Sequence, residues 1–270
     1  MKPLMHNILA NNCYGESHEW SCVVRSDHED WGEREGNPKY GWQPHENAGM
    51  RDKRYLKDTS YNMSAEVPRL ATLYHKMSMP EDFKEELLGW WHENKHKVEE
   101  SEKVPGNYLN DHDVVNHKLN LDDYPHMKTM IEERLKPFVE HWVPMSEMVP
   151  TSTYGVRQYR RGSFMLNHYD RHQTHHASFI LNVEQEGCDE GWPLELHPPF
   201  GVRDVYMQPG EMILYEGAKI MHGRPMRSPC DSYANIFVHF TPKDYKERQR
   251  LYVHEQGFFT AREMHDSKEL

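Results

Sequence analysis

Two segments in the first half of the chain have the apolar spacing of amphipathic helices, with large side chains three or four residues apart. In the first segment these side chains are Phe83, Leu87, Leu88 and Trp91, and in the second they are Met127, Met130, Ile131, Leu135, Phe138, Val139 and Trp142. Ser78 and Glu81 fit a capping box at the start of the first helix, which we expect to end near Lys97. We expect Pro137 to kink the second helix near its end.

After Pro150 the pattern changes to short runs of β-branched, aromatic and alternating residues, which predict strands. The runs are TYGVRQY, SFMLNHYD, ASFILNV, VRDVYM, EMILY and YANIFVHF. Several strands at such close spacing predict a barrel or a sandwich. Because helices precede the strands and no repeat of fixed period is present, the sequence predicts an α+β fold rather than a solenoid or a propeller.

This pattern divides the chain into four regions. We expect an irregular N-terminal extension over 1–64, a helical support region over 65–149, a β-core over 150–242 and a C-terminal extension over 243–270. The first region has little apolar periodicity but is rich in aromatic residues, among them Trp20, Trp31, Tyr40 and Trp42. These side chains either pack over the mouth of the barrel and shape a substrate pocket, or form a peripheral wrap that stabilises the helices.

Composition and charge narrow the choice of partners. Of the 270 residues, 37% are hydrophobic and 28% are charged, and the formal net charge is −11. An acidic chain is poorly suited to nucleic-acid phosphates, which need a basic surface. No run approaches the ~20 apolar residues that span a bilayer, and the start of the chain lacks the apolar core of a secretory signal. We therefore expect an intracellular, cytoplasmic protein without membrane contact.

The cysteines and the last residues bear on the compartment. Cys13, Cys22, Cys188 and Cys230 are scattered without C-x-x-C spacing, which indicates neither a zinc ribbon nor a dense disulfide framework. We expect reduced thiols with a structural role. The terminal SKEL resembles an endoplasmic-reticulum retrieval tail, but such a tail acts only on proteins that have entered that compartment.

A possible metal site lies at the end of the run SFMLNHYD. His168 and Asp170 are two positions apart on a predicted strand, where they project from the same face and can reach one ion. With His222, in KIMHGRP, they would form a 2-His-1-carboxylate set, which binds non-haem iron and leaves coordination positions open. A second triplet of similar form, at 28–30, lies in a charged stretch and is expected at the surface.

The order Y-x(8)-HYD, then QPGEMILY, then MHGRP and YANIFVHF, resembles the prolyl-4-hydroxylase-like branch of the iron(II)- and 2-oxoglutarate-dependent oxygenases. The resemblance covers 150–242 and implies a double-stranded β-helix of the jelly-roll or cupin-like type, supported by the N-terminal helices. It also implies that His168, Asp170 and His222 bind iron(II). The carboxylate of Asp170 argues against the related halogenases, which have a small residue at this position.

The same resemblance implies residues for the cosubstrate 2-oxoglutarate. Tyr159, nine residues before the first ligand, matches a tyrosine that helps to hold this molecule in the family. The basic residue that binds its distal carboxylate commonly lies ten positions after the second histidine, where this chain has Ser232. Arg224 and Arg227 are the nearest substitutes, because a guanidinium can bind a carboxylate through two parallel hydrogen bonds. Of the two, we favour Arg224.

These features imply a non-haem iron dioxygenase that uses molecular oxygen to hydroxylate a substrate while 2-oxoglutarate is converted to succinate and carbon dioxide. The substrate would be peptidyl proline, a free amino acid or another small metabolite, since similarity of fold transfers substrate identity poorly. The missing basic residue at Ser232 leaves open a catalytically silent barrel that acts as a binding module. His172, His175 or His176 could instead supply an extra ligand in a cupin-like metalloprotein of other chemistry.

Overall fold

Strands make up most of the second half of the chain in the computed structural model, and two α-helices precede them among the residues that the structure describes. The structure describes residues 71, 73–101, 109, 114–144, 146–171, 174–198 and 202–248, together with the backbone of strands at 11–13 and 22–24. The strands are β1 (Asn11–Cys13), β2 (Cys22–Val24), β3 (Tyr74–Ser78), β4 (Glu99–Glu100), β5 (His117–Asn120), β6 (Met148–Tyr159), β7 (Met165–Tyr169), β8 (Ala177–Glu186), β9 (Leu194–His197), β10 (Arg203–Val205), β11 (Glu211–Tyr215), β12 (Met221–Arg224) and β13 (Ser232–Pro242). The helices are α1 (Glu81–Asn94) and α2 (Pro125–Trp142), with short 3-10 turns at Lys95–Lys97 and Leu121–Asp123.

The described strands pair in an antiparallel manner within two sheets. The strand order is β1-β2-β7-β12-β9-β10 in the smaller sheet and β3-β11-β8-β13-β6-β5-β4 in the larger one. The predicted strand-rich second half is thus confirmed. The region predicted to be helical also contributes β3, β4 and β5 to the larger sheet. These strands are short and mostly exposed or half-buried, so they lack the apolar alternation of the longer strands.

The helices cover one face of the larger sheet. Their apolar side chains form a buried cluster with β8 and β13, which includes Phe83, Leu87, Ile131 and Leu135 from the helices and Phe179, Leu181, Ile236 and Val238 from the strands. The opposite face of the larger sheet packs on the smaller sheet, where Ile180 and Ile213 meet Leu194 and Leu196. The candidate site lies in this second layer, between the two sheets.

The first helix begins later than the sequence predicts. Helix α1 starts at Glu81, its N-cap is Pro80 and no side chain caps it, so the predicted capping box is wrong. Ser78 instead forms the last pair of β3 with β11, because the sheet extends up to the helix. The 3-10 turn after α1 ends where the sequence predicts the helix to end. Pro137 lies inside α2, which continues beyond it.

Two strands of the N-terminal region extend the smaller sheet. Strand β1 pairs with β2, and β2 pairs with β7, so that Val23 lies opposite His168 and Cys22 lies opposite Tyr169. The backbone of β2 therefore lies beside β7. The aromatic residues Trp20, Trp31, Tyr40 and Trp42 fall outside the described residues, so their role at the barrel mouth stays a prediction.

A disulfide joins Cys188 to Cys230, so the expectation of reduced thiols is wrong for this pair. The two cysteines are 42 residues apart in the sequence and lie in connections that only folding brings together. Their spacing therefore gives no sign of the bridge. Disulfides are rare in the reducing cytosol, so the bridge counts against the cytoplasmic location that we expected. Among the helices that the structure describes, none is both long and apolar enough to cross a membrane.

Candidate metal centre

The strand register brings the three predicted ligands together. His168 lies on β7, Asp170 directly follows β7, and His222 on β12 is paired with His168. Asp170 Oδ1 is 3.7 Å from His168 Nε2, and Asp170 Oδ2 is 3.6 Å from His222 Nε2. One ligand atom from each residue lies within 4.8 Å of the others. Two imidazoles and one carboxylate at this spacing match the donor set of a non-haem iron site, and we call them the triad.

The backbone sets the tautomer of His222. Its Nδ1 is 3.0 Å from the carbonyl oxygen of Ile220, which can only accept, so Nδ1 carries the proton. In the neutral ring, Nε2 is then free to bind a metal beside Asp170. Burial alone would raise the pKa of Asp170, but the charge of a protonated His222 and its hydrogen bond lower it well below its usual range. A bound metal ion would supply that positive charge instead and keep the carboxylate ionised.

Neighbouring elements hold the Asp170 carboxylate in place. The backbone N–H of Asp170 donates to the carbonyl of Gly217 at 2.9 Å. Its Oδ2 is 3.4 Å from Ser178 Oγ and 3.5 Å from the hydroxyl of Tyr215. A Cβ on Gly217 would clash with Asp170 Oδ2 and Ser178 Oγ, so a larger residue at this position would have to displace the carboxylate. Burial and the Asp170 carboxylate raise the pKa of Tyr215 well above its usual value, so its hydroxyl stays a donor.

Two further imidazoles line the site beside Asp170. The rings of His175 and His239 stack with 3.7 Å between centroids, and the Tyr154 hydroxyl is 3.0 Å from His175 Nε2. His239 Nδ1 is 2.7 Å from Ser178 Oγ, so a chain of contacts links this pair to the carboxylate. Burial lowers the pKa of His175 to about 4 and that of His239 well below its usual value. Both rings are therefore neutral at physiological pH.

Neither of these rings joins the triad. Within the part of the chain that the structure describes, the triad alone has the geometry to hold a metal ion. His176 is instead 2.9 Å from the Thr241 hydroxyl and packs against Tyr245. His172 lies outside the described residues. Among the described histidines, none therefore supports the extra ligand that a cupin-like site of other chemistry would use.

A buried cation lies near the triad on the same strand. Arg224, two residues after His222, is 1% exposed. Its guanidinium carbon is 5.0 Å from the ring centre of Trp192 and 4.8 Å from that of Tyr233, and Nη1 donates to the Trp192 carbonyl. Tyr159 is the cross-strand partner of Tyr233, and its ring is 5.1 Å from that of Trp192. We call Arg224, Trp192, Tyr159 and Tyr233 the arginine cradle.

Three buried polar atoms of the arginine cradle are incompletely satisfied. Arg224 Nη2 and the Tyr233 hydroxyl have no hydrogen-bond partner among the described residues, and the Tyr159 hydroxyl has only a weak contact with the Arg157 side chain. Burial raises the pKa of Tyr159, although the charges of Arg157 and Arg224 and a hydrogen bond with Arg157 lower it, so the phenol stays protonated. An unsatisfied buried donor costs about 1–3 kcal/mol, and more if it is charged. The arginine cradle therefore fits a ligand that accepts hydrogen bonds, above all an anion.

The second candidate arginine has other contacts. Arg227 packs over the ring of Phe164, 5.0 Å from its centre, and its Nη1 lies 3.4 Å from the carbonyl of Gly162. Neither neighbour belongs to the arginine cradle or to the triad. Of the two arginines predicted for the cosubstrate, the structure therefore brings only Arg224 to the site.

Ser232 faces the helices rather than the layer between the sheets. Its hydroxyl donates to Glu184 at 2.8 Å and accepts from Gln158 at 2.9 Å, and Lys95 binds Glu184 at 2.6 Å. Because side chains alternate along a strand, the next residue, Tyr233, faces inward. A basic residue at 232 would not reach the arginine cradle. Its absence therefore says nothing against binding of an anion there.

Several residues of the site carry little signal in the sequence. Trp192 lies in the connection between β8 and β9, outside any periodic run, so no pattern marks it. Tyr233 and His239 on β13, and Tyr215 on β11, face the site. The alternation within YANIFVHF and EMILY could have shown that these three share the inward face.

No family model matches this sequence, and no curated protein matches it. Among solved structures, a prolyl-4-hydroxylase from Pseudomonas putida is 14% identical over 67% of this chain and 99% of its own, with a TM-score of 0.46. A 2OG-Fe(II) oxygenase family oxidoreductase from Burkholderia pseudomallei is 12% identical over 67% and 89%, with a TM-score of 0.47. HygX from Streptomyces hygroscopicus, solved with nickel, 2-oxoglutarate and hygromycin B, is 8% identical over 70% and 88%, also at 0.47. The chain thus resembles prolyl-4-hydroxylases and other 2OG-Fe(II) oxygenases, and at these identities the likeness concerns the fold alone.

Proposed function

We propose that this protein is an iron(II)- and 2-oxoglutarate-dependent dioxygenase built on a double-stranded β-helix. The observation that supports this most strongly is the pairing of a His-Asp-His group with a buried, incompletely satisfied arginine on the same strand. His222 and Arg224 are two residues apart on β12, which places them about 7 Å apart along the strand, and the pairing of β12 with β7 shifts register between them. That separation suits a five-carbon dicarboxylate that chelates a metal at one end and meets a guanidinium at the other.

The triad would hold the metal and leave positions open for 2-oxoglutarate and dioxygen. Bound iron supplies the oxidising chemistry, in which 2-oxoglutarate and dioxygen yield succinate, carbon dioxide and a hydroxylated substrate. The chain's own residues fix the ligand geometry. Gly217 leaves room for the Asp170 carboxylate, Ser178 and Tyr215 orient it, and the Ile220 carbonyl presents His222 in the correct tautomer.

The arginine cradle would bind the distal carboxylate of 2-oxoglutarate. Arg224 offers Nη2 for a charge-assisted hydrogen bond, and Tyr159 and Tyr233 offer hydroxyls from facing strands. Trp192 packs against the guanidinium and seals the cradle from water. A buried carboxylate costs several kcal/mol unless it is paired, and a buried guanidinium has the same requirement. Each charge therefore satisfies the other when 2-oxoglutarate is bound.

The substrate would approach from the opposite end of the site. The arginine cradle is closed, since none of its four side chains is more than 1% exposed. Beside Asp170 the site leads instead to Tyr154, which is 50% exposed. The ring of Tyr154 and the neutral rings of His175 and His239 would then face the substrate, whether it is peptidyl proline, a free amino acid or another small metabolite.

Anaerobic reconstitution with iron(II) and 2-oxoglutarate, followed by exposure to oxygen and measurement of succinate, tests the reaction class before a substrate is known. We expect succinate to form only when iron is present, and to be lost in Asp170→Ala and His222→Ala. A protein that binds 2-oxoglutarate yet forms no succinate under any of these conditions would instead be a silent barrel that acts as a binding module. A protein that binds neither iron(II) nor 2-oxoglutarate would contradict the proposed function and would need another ligand.

A further inference from the structure

We infer that the Cys188–Cys230 disulfide positions the arginine cradle, so that the affinity for 2-oxoglutarate depends on the bridge being oxidised. The inference rests on the proposed function, because it concerns the site of the proposed cosubstrate. Both cysteines pack in one buried cluster with Tyr159, Trp192 and Tyr233. They are positioning residues, since their effect on a ligand would pass through the cradle side chains that they adjoin.

The bridge joins the connection that carries Trp192 to the connection that runs from Arg224 to β13 and Tyr233. Cys188 lies between β8 and β9, four residues before Trp192, and Cys230 lies between β12 and β13, three residues before Tyr233. Trp192 belongs to no strand, so no ladder of sheet hydrogen bonds fixes its position. The position of Trp192 therefore depends on the connection at 187–193 and on the contacts and bonds that hold this connection.

Movement of this connection would be passed to the guanidinium. Arg224 Nη1 donates to the carbonyl of Trp192, and the Trp192 indole N–H donates to the carbonyl of Met226 at 2.6 Å. If the connection shifts, Arg224 loses a hydrogen-bond partner and the ring that packs 5.0 Å from its guanidinium carbon. The seal over the cradle also opens to water, which weakens a charge-assisted hydrogen bond.

The other described ties between the two connections are weaker than a covalent bond. One is the hydrogen bond from the Trp192 indole to the Met226 carbonyl, and in another the Asp231 N–H donates at 2.9 Å to the carbonyl of Glu186, the last residue of β8. Arg161 forms an exposed ion pair with Asp231 at 2.8 Å and lies 3.4 Å from the carbonyl of Gly187. Exposed ion pairs contribute little to stability. The disulfide is therefore the strongest restraint on how far the two connections can separate.

The bridge can be reached by a reductant, because Cys188 is half-buried although Cys230 is fully buried. A phosphine reductant cleaves the S–S bond by giving up two electrons, and water supplies the oxygen of the phosphine oxide and the two protons of the thiols. The triad lies outside this path, since its ligands adjoin or belong to β7 and β12. Reduction of the bridge should therefore weaken binding of 2-oxoglutarate and leave binding of the metal unchanged.

The experiment measures 2-oxoglutarate binding to the Ni²⁺-loaded full chain by calorimetry. It compares oxidised protein, protein reduced with phosphine and desalted without oxygen, and the Cys188→Ser/Cys230→Ser variant. Ni²⁺ binding is measured first and reports on the fold and the triad. On loss of the bridge we expect the dissociation constant for 2-oxoglutarate to rise about tenfold, which corresponds to one weak charge-assisted hydrogen bond. The affinity for Ni²⁺ should stay the same.

The matched control is Arg161→Ala, which removes the exposed side chain that contacts both connections, at Asp231 and at the Gly187 carbonyl, but keeps the bridge. We expect it to bind 2-oxoglutarate like the wild type, and a loss as large as that of the serine variant would overturn the assignment to the bridge. Equal affinity in oxidised and reduced protein would overturn the inference and leave the proposed function standing. Oxidised protein that binds Ni²⁺ but not 2-oxoglutarate would contradict the proposed function itself. If the serine variant fails to bind Ni²⁺, the reduced wild type, which is already folded, decides the question.

Discussion

Removal of the Arg224 guanidinium should weaken 2-oxoglutarate binding strongly and metal binding little. In the proposed complex, Arg224→Ala leaves the distal carboxylate buried without its charged partner, and the hydroxyls of Tyr159 and Tyr233 remain as neutral donors. Loss of one partner of a buried charge pair costs about 3–5 kcal/mol. The two remaining donors favour the lower end of this range, and about 3 kcal/mol corresponds to roughly a hundredfold rise in the dissociation constant. Calorimetric titration of 2-oxoglutarate into the Ni²⁺-loaded variant measures this rise.

Two variants make the comparison specific. Arg227→Ala removes an arginine five residues along the chain from His222 that packs on Phe164, so it should leave 2-oxoglutarate affinity unchanged. Arg224→Lys keeps the positive charge but loses the planar fork, so it should bind with intermediate affinity. Ni²⁺ binding by each variant shows that the fold survives the loss of a buried side chain. If Arg224→Ala binds 2-oxoglutarate as tightly as the wild type, the reasoning is refuted, and if Arg227→Ala is the weaker binder, the cation is Arg227.

Four other changes have expected outcomes. His222→Ala should abolish tight Ni²⁺ binding while circular dichroism stays unchanged, and retained binding would contradict the triad. Gly217→Ala should weaken metal binding because its Cβ would clash with Asp170 Oδ2, and an unchanged metal titration would show that the carboxylate can move. Tyr159→Phe should raise the dissociation constant for 2-oxoglutarate about fivefold, as expected for one neutral hydrogen bond, with equal affinity arguing against its hydroxyl as a donor. In the metal-free protein, the buried ring of His175 resists charging down to a pKa of about 4, against 6.5 for the free side chain. The unfolded chain binds that proton first, so stability should fall as the pH drops from 6.5 towards 4, and His175→Phe should flatten the fall in urea midpoints.

Most of the fold and the triad could be predicted from local patterns in the sequence. The helices and long strands bury one regular stripe or face, so their apolar residues recur at the period of the element. His168 and Asp170 are close in sequence and share a face for the same reason. The short strands β3 and β5 escape prediction because their side chains are mostly not buried. They belong to the sheet through backbone pairing with β11 and β6, which leaves no mark on the sequence.

Long-range features of the site could not be predicted from local pattern. Trp192 reaches Arg224 from a connection, and Cys188 meets Cys230 only because two such connections lie side by side. The sequence predicted the position of the family's basic residue, ten residues after His222, at Ser232. That position faces the helices rather than the layer between the sheets, because a shift of one residue along a strand turns a side chain to the other face. The structure places Tyr233 at the inward position instead.

The central claim is that 2-oxoglutarate binds at the triad metal, and absorption spectroscopy without oxygen tests it most directly. Chelation of iron(II) by a 2-oxo acid produces a visible charge-transfer band, which neither the metal nor the cosubstrate shows alone. We predict that titration of 2-oxoglutarate into the iron(II)-loaded protein produces this band with saturation, that succinate does not, and that His222→Ala abolishes it. An iron(II)-loaded wild type that shows no band at any concentration of 2-oxoglutarate would contradict the account.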